Sequence, residues 1–189
     1  KFAALAEKLS EHPLAGAILD KAREWDLLIS APTDFQVKRG RGVEVKHDGL
    51  RIILGNRDLL AENGIALSAE ADAYMQERES RGETALIVTH GTEVCGLIAL
   101  ADPIREEAPE TIRTLRASGV HRIIAMYTGD NHRTASCVAG SLGIEEVAAG
   151  LLPEDKVNRV KALSSNGHTV AMVGDGNNDP PALATAAVG

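Results

Sequence analysis

From Asp102 onward the chain alternates strictly between apolar β-branched runs and amphipathic helical stretches. The pattern predicts a helix over 104–118 closed by Gly119, a strand over 121–127 and a helix over 131–142 closed by Gly143. It continues with a short strand over 147–149, a helix over 153–165 and a strand over 168–173. Such alternation builds βαβ units and a parallel sheet. In a parallel sheet, ligands sit at the carboxyl ends of the strands. The last run, His168-Thr169-Val170-Ala171-Met172-Val173, stops abruptly in Gly174-Asp175-Gly176-Asn177-Asn178-Asp179, where two carboxylates, two amides and two glycines follow in six positions.

The first half follows another pattern. Helical spacing over 2–9 is broken by Ser10-Glu11-His12-Pro13, because the residue before a proline avoids the α region. A second helix is predicted over 14–25. Strands follow over 34–39, 42–47 and 50–54, with Asp48-Gly49 as a two-residue hairpin turn. Helices over 56–63 and 68–81 lead to strands over 84–89 and 93–100. This is an antiparallel sheet with helices. The change of pattern places a boundary at Asp102-Pro103, giving domains 1–101 and 102–189.

Composition narrows the function. The 189 residues carry a net charge of −7, which argues against a nucleic-acid surface. Aromatics are 3% of the chain, so the core must be aliphatic. Cys95 and Cys137 belong to no metal-binding spacing and read as free thiols in a reducing compartment. The longest apolar run, over 94–101, is strand-sized rather than membrane-spanning. The N-terminus has no basic region leading into an apolar one.

Three places in the second half carry candidate chemistry. Thr128-Gly129-Asp130 follows a strand and opens a helix, which suits either a helix cap or a cradle for a phosphoryl oxygen. Lys156 lies in the first turn of a helix, where a cation opposes the helix dipole. It is either a solvated lysine or one facing an anion. Asp175 and Asp179 are hard oxygen donors suited to Mg²⁺. Asp179 before Pro180-Pro181 is equally suited to be an N-cap. A hydroxyl, an ammonium and metal-binding carboxylates at successive strand ends are together what phosphoryl transfer requires.

These motifs resemble those of the heavy-metal-transporting P-type ATPases, whose phosphorylation domain is of the haloacid-dehalogenase-like superfamily. The resemblance rests on Thr128-Gly129-Asp130, Asp155-Lys156 and Gly174-Asp175-Gly176-Asn177-Asn178-Asp179. It extends through the first half in Ser10-Glu11-His12-Pro13-Leu14, Glu7, Gly40-Arg41-Gly42 and Gly55-Asn56, and so covers essentially the whole chain. It implies an α/β fold: an antiparallel-sheet α+β nucleotide-binding domain, then a partial Rossmann-like haloacid-dehalogenase-type domain with a parallel sheet. It implies that Thr128 and Lys156 contact the transferred phosphoryl group, with Gly129 and Asp130 in the same motif. Asp175 and Asp179 would be metal-site residues, with Asn178 supporting the site. Glu7, His12, Gly40, Gly42, Gly55 and Asn56 would bind nucleotide, His12 by orienting adenine. The implied cofactors are ATP and Mg²⁺. The implied parent is an ATP-hydrolysing cation translocase in a membrane, with this segment soluble on its cytoplasmic face. Its partners would be the transmembrane and actuator domains of the same chain.

The sequence also departs from the family pattern. No aspartate stands in an Asp-Lys-Thr-Gly-Thr motif, the one that carries the phosphorylated residue. The resemblance places that motif upstream of Lys1, so the chain is expected to bind nucleotide without turning it over. The strand bearing that aspartate is central in the family's sheet. Its absence leaves backbone groups unpartnered at about 1–3 kcal/mol each, so 102–189 is expected to be unstable alone. Asn177 and Pro180 replace an aliphatic and a small residue without removing a ligand oxygen. A soluble phosphatase with a large cap domain shares the second-half motifs but not the Ser-Glu-His-Pro signature. An inactive nucleotide-binding module would also lack the nucleophile. The wording of residues 151–156 resembles the zinc, cadmium or cobalt pumps more than the copper ones.

Overall fold

A computed structural model describes the chain apart from residues 121–123, 175, 177 and 178 and the side chain of Pro13. Its contacts divide it into two compact units, Lys1–Glu106 and Glu107–Gly189. The first unit contains α1 (Phe2–Glu7), α2 (Pro13–Glu24), β1 (Thr33–Lys38), β2 (Gly42–His47) and β3 (Leu50–Gly55). It continues with α3 (Arg57–Glu62), α4 (Ala69–Glu79), β4 (Thr84–His90) and β5 (Glu93–Leu100). The five strands form one antiparallel sheet in sequence order. The β2–β3 hairpin turns at Asp48 and Gly49, both at positive φ (50° and 78°), as a tight primed turn requires.

β3 is buried on both sides. Ile52 and Leu54 join α1, α2, Val43, Val45 and Val88 in one core cluster. Ile53, between them, points to the opposite face and packs with Leu59, Leu60, Met75 and Ile87. Covered on both faces, the strand can be apolar without alternation. Each fully buried Ile or Leu side chain contributes about 1.5–3 kcal/mol. The outer end of α2 is less protected: Trp25, its C-cap, is 65% exposed, with the Lys21 ammonium 5.8 Å from its ring centroid.

The second unit contains α5 (Ala108–Ala117), β6 (Ala125–Tyr127), α6 (His132–Leu142), β7 (Glu146–Ala148), α7 (Pro153–Ser165) and α8 (Pro180–Thr185). β6 and β7 are parallel and in register from Ala125↔Glu146 to Tyr127↔Ala148. Three expectations are corrected here. The helix expected over 104–118 starts at Ala108, because Pro109 is accommodated only in a first turn. The strand expected over 121–127 is described only as Ala125–Tyr127, since 121–123 lie outside the described residues. The strand expected over 168–173 is a single parallel bridge, Ala171 to Val188, and Val173 is 93% exposed. An apolar run becomes a buried strand only when neighbours take up its hydrogen bonds. Among the described residues, β6 pairs with β7 alone.

The cores differ accordingly. Among the described residues, the buried apolar side chains of the second unit are Ala135, Ala139, Ala148, Val160 and Ala182. α5 buries none of its residues. No helix among the described residues is long and apolar enough to cross a membrane. Hydrogen exchange read by mass spectrometry should therefore show β2, β3 and β4 as the slowest amides, with β6, β7 and α5 exchanging in an earlier, separate opening. One shared exchange rate for both units would contradict this.

Candidate functional site

In the second unit, the end of β6 feeds a tight loop. The Thr128 hydroxyl donates to Asp130 Oδ2 at 2.8 Å and accepts from the Asp130 N–H at 3.1 Å. The cap of α6 is not Thr128 but Asn131, whose Oδ1 accepts from the N–H groups of Arg133 and Thr134. The same loop is joined to the approach to α7. The Leu151 N–H donates to the Thr128 carbonyl at 3.0 Å, and the Gly150 N–H donates to the Asp130 carbonyl at 2.7 Å.

α7 then carries Lys156. Its ammonium donates to Asp179 Oδ1 at 2.7 Å, and the two side chains are only 13% and 12% exposed. This pair accounts for a cation in the first turn of a helix. It also settles Asp179, which stands at the N-cap position of α8 without making a side-chain cap bond. The other carboxylate oxygen, Oδ2, lies against Gly174, where a Cβ would come within 2.7 Å of it. Glycine at 174 is thus required by the approach of Asp179. The other expected metal ligand, Asp175, and Asn178 lie outside the described residues. Among those described, no three His, Cys, Asp or Glu side chains converge. Carboxylate oxygen is the donor type Mg²⁺ takes, and Asp179 has Oδ2 left for that role.

In the first unit, the Gly40-Arg41-Gly42 and Gly55-Asn56 pairs meet. Gly42 and Gly55 are register partners across β2 and β3. A Cβ on Gly42, whose φ is +142°, would stand 2.1 Å from the Leu54 carbonyl oxygen. Asn56 caps α3, accepting from the Leu59 N–H at 3.1 Å, and donates through Nδ2 to the Gly40 carbonyl at 3.2 Å. Its backbone N–H donates to the Arg41 carbonyl at 2.8 Å. Glu7 ends α1 at 6% exposure, with Oε2 buried and lacking a hydrogen-bond partner. His12 is exposed and caps α2, its Nδ1 accepting from the Leu14 N–H at 3.3 Å. The chain neighbours Ala6, Val43 and Leu54 share one core cluster, which ties Glu7 to the Gly42 and Gly55 end of the strands.

Residues 1–187 match the haloacid dehalogenase-like hydrolase family. The chain belongs to that family. Over 186 residues it is 41% identical to copper-exporting P-type ATPases of Staphylococcus aureus, strains Newman and COL, a match covering 98% of this chain and 23% of theirs. It thus spans about a quarter of the length of these curated relatives. Among solved structures, it resembles the catalytic domain of the CPx-ATPase CopB-B at TM-score 0.72 and 28% identity, over 99% of this chain and 64% of that one. A zinc-transporting PIB-type ATPase in an E2.Pi state matches at TM-score 0.54 and 39% identity, over 98% of this chain and 29% of that one. This haloacid dehalogenase-like chain therefore carries the mixed α/β architecture of heavy-metal P-type ATPase catalytic domains.

Two side-chain contacts of the site escaped the sequence reading. Arg159, three residues after Lys156, places its guanidinium 5.5 Å from the Tyr127 ring centroid, directly before Thr128. Burial, then the Glu146 carboxylate, raises the Tyr127 pKa, and Arg159 opposes this. Helical spacing from Lys156 was the available signal for Arg159. The Lys156–Asp179 pair spans 23 residues, and only the misplaced helix-dipole charge of Lys156 hinted at it.

Two substitutions test the geometry. Lys156→Met or Asp179→Asn should each destabilise the second unit by about 3 kcal/mol, because either leaves one charge largely buried and unpaired. The double substitution should cost less than the sum, read as a coupling in a denaturant cycle. Gly42→Ala should cost about 2–3 kcal/mol in the first unit through backbone strain and the Leu54 clash, measured by thermal melting.

Proposed function

We propose that the chain is the nucleotide-binding domain and part of the phosphorylation domain of an ATP-driven heavy-metal cation pump. The carrying observation is the largely buried Lys156 ammonium, held by Asp179 on a helix whose approach is joined through Leu151 to the Thr128 loop. In this reading, Lys156 and Thr128 grip the oxygens of the transferred phosphoryl group, and the 128–130 loop keeps the hydroxyl aimed. A preorganised cation and hydroxyl stabilise transition-state charge without reorganising at the moment of transfer. Mg²⁺, when bound, supplies further neutralisation of phosphoryl oxygens. Asp175 would hold it, with Asp179 offering Oδ2 and keeping Lys156 in place.

The phosphoryl acceptor would be an aspartate on a strand outside this chain. The open edge of β6 among the described residues, the run over 168–173 whose one bridge is to Val188, and the unburied α5 all favour such a strand. In the first unit, the orphaned Glu7 Oε2 is an acceptor that the exocyclic amino group of adenine would satisfy. His12 spends Nδ1 on its helix cap, which leaves Nε2 for the base. The solved relative CopB-B was studied for its changes upon nucleotide binding, and this supports the assignment. Relatives at 41% and 39% identity are named for copper and for zinc, so the cargo is proposed only as a heavy-metal cation. In the parent, the unit would work on the cytoplasmic face beside the membrane and actuator domains.

Calorimetric titration of ATP into the chain, with His12→Gln alongside, tests the first half of this reading. The substitution should weaken binding about tenfold, the loss of one hydrogen bond to a half-enclosed base. Equal affinity for the two proteins would remove His12 from the site. ATP should be recovered intact in both titrations, and steady release of phosphate would overturn the missing-acceptor proposal.

A further inference from the structure

The turn between β1 and β2 carries three cations in four positions, Lys38, Arg39 and Arg41, in a chain of net charge −7. They are disposed unequally. Arg41 is ion-paired with Glu62. Lys38 donates to Gln36 Oε1 at 3.2 Å. Arg39 is exposed, and its side chain has no partner among the described residues.

Unlike most free arginines on a surface, Arg39 sits on a fixed backbone. The turn closes through the Arg41 N–H to the Lys38 carbonyl at 2.9 Å, with Gly40 at φ +70°. That positive φ at the third position puts Arg39 at the apex. Asn56 then clamps the far side of the turn twice, on the Gly40 and Arg41 carbonyls. Charged residues on an edge strand discourage sheet-to-sheet pairing, which accounts for Lys38 on β1. It does not account for Arg39, which lies beyond the strand.

We infer that Arg39 engages the phosphates of the bound nucleotide, so that the 38–41 turn sets a preference for nucleoside di- and triphosphates over the nucleoside. This rests on the reading of the first unit as the nucleotide-binding part. A polyanion approaching a chain of net negative charge needs a local positive field. The guanidinium fork matches phosphate oxygens two at a time. Gly40 beside it has no side chain to obstruct a ligand, and the two Asn56 bonds hold the backbone of the turn in place.

The test is a calorimetric ladder of adenosine, AMP, ADP and ATP on the whole chain, with Arg39→Ala and Arg39→Lys. In the unsubstituted chain, affinity should climb with phosphate number. Arg39→Ala should weaken ATP roughly twofold to fivefold, the range for one exposed charge contact, and leave adenosine unchanged. Arg39→Lys should restore part of the loss, and the salt dependence of ATP binding should be shallower in Arg39→Ala. The melting temperature should not move, since the side chain is exposed. An equal loss for adenosine and ATP, or no loss for ATP, overturns the role of Arg39 while adenosine binding upholds the site. Failure of the unsubstituted chain to bind any of the four overturns both.

Discussion

The enclosure of β3 on both faces is the constraint from which the first unit follows. Ile52, Ile53 and Leu54 are almost completely buried, on alternating sides. That demands one helical layer from α1 and α2 and another from α3 and α4. It also fixes the register with β2, because a one-residue slip would exchange the two cores. The register brings Gly42 opposite Gly55, and from that meeting come the Asn56 clamp and the shape of the 38–41 turn. The candidate nucleotide residues are in this sense consequences of a packing decision made in the middle of the sheet.

The second unit lacks an equivalent centre. Its helices and its two short strands are in place, but its buried apolar residues are alanines and one valine among those described. What gathers it is polar: the 128–130 loop tied to residues 150–151, and the Lys156–Asp179 pair between α7 and α8. Polar bonds of this kind hold geometry well but add little net stability. The unit is therefore built to position charge more than to resist unfolding.

Much of the fold was legible in the sequence because period and turn chemistry are local. The Asp48-Gly49 hairpin stands where expected, and α7 spans the residues its pattern marks. The 168–173 segment was not legible, because the same β-branched run that makes a buried strand stays largely exposed when only a single bridge, to Val188, takes up its hydrogen bonds. The candidate site divides in the same way. Residue types at strand ends named Thr128, Lys156 and Asp179, but their partners came only from three-dimensional contact. Asp179 suited both metal and cap in the sequence; its side chain makes no cap bond, and its Oδ1 goes to the lysine 23 positions earlier.

Trp25 is the one tryptophan of the chain, and its place at the open end of α2 decides what light can report. Its indole is already mostly in water, so denaturation changes its surroundings little, and the emission will barely shift as the sheet comes apart. It also stands 13 residues beyond His12, about 20 Å along the helix axis, beyond the reach of contact quenching by anything bound there. Intrinsic fluorescence will therefore under-report both unfolding and occupancy in this protein. The Phe2–His90 stack, 4.4 Å between centroids where α1 meets the end of β4, is the better place to attach a probe.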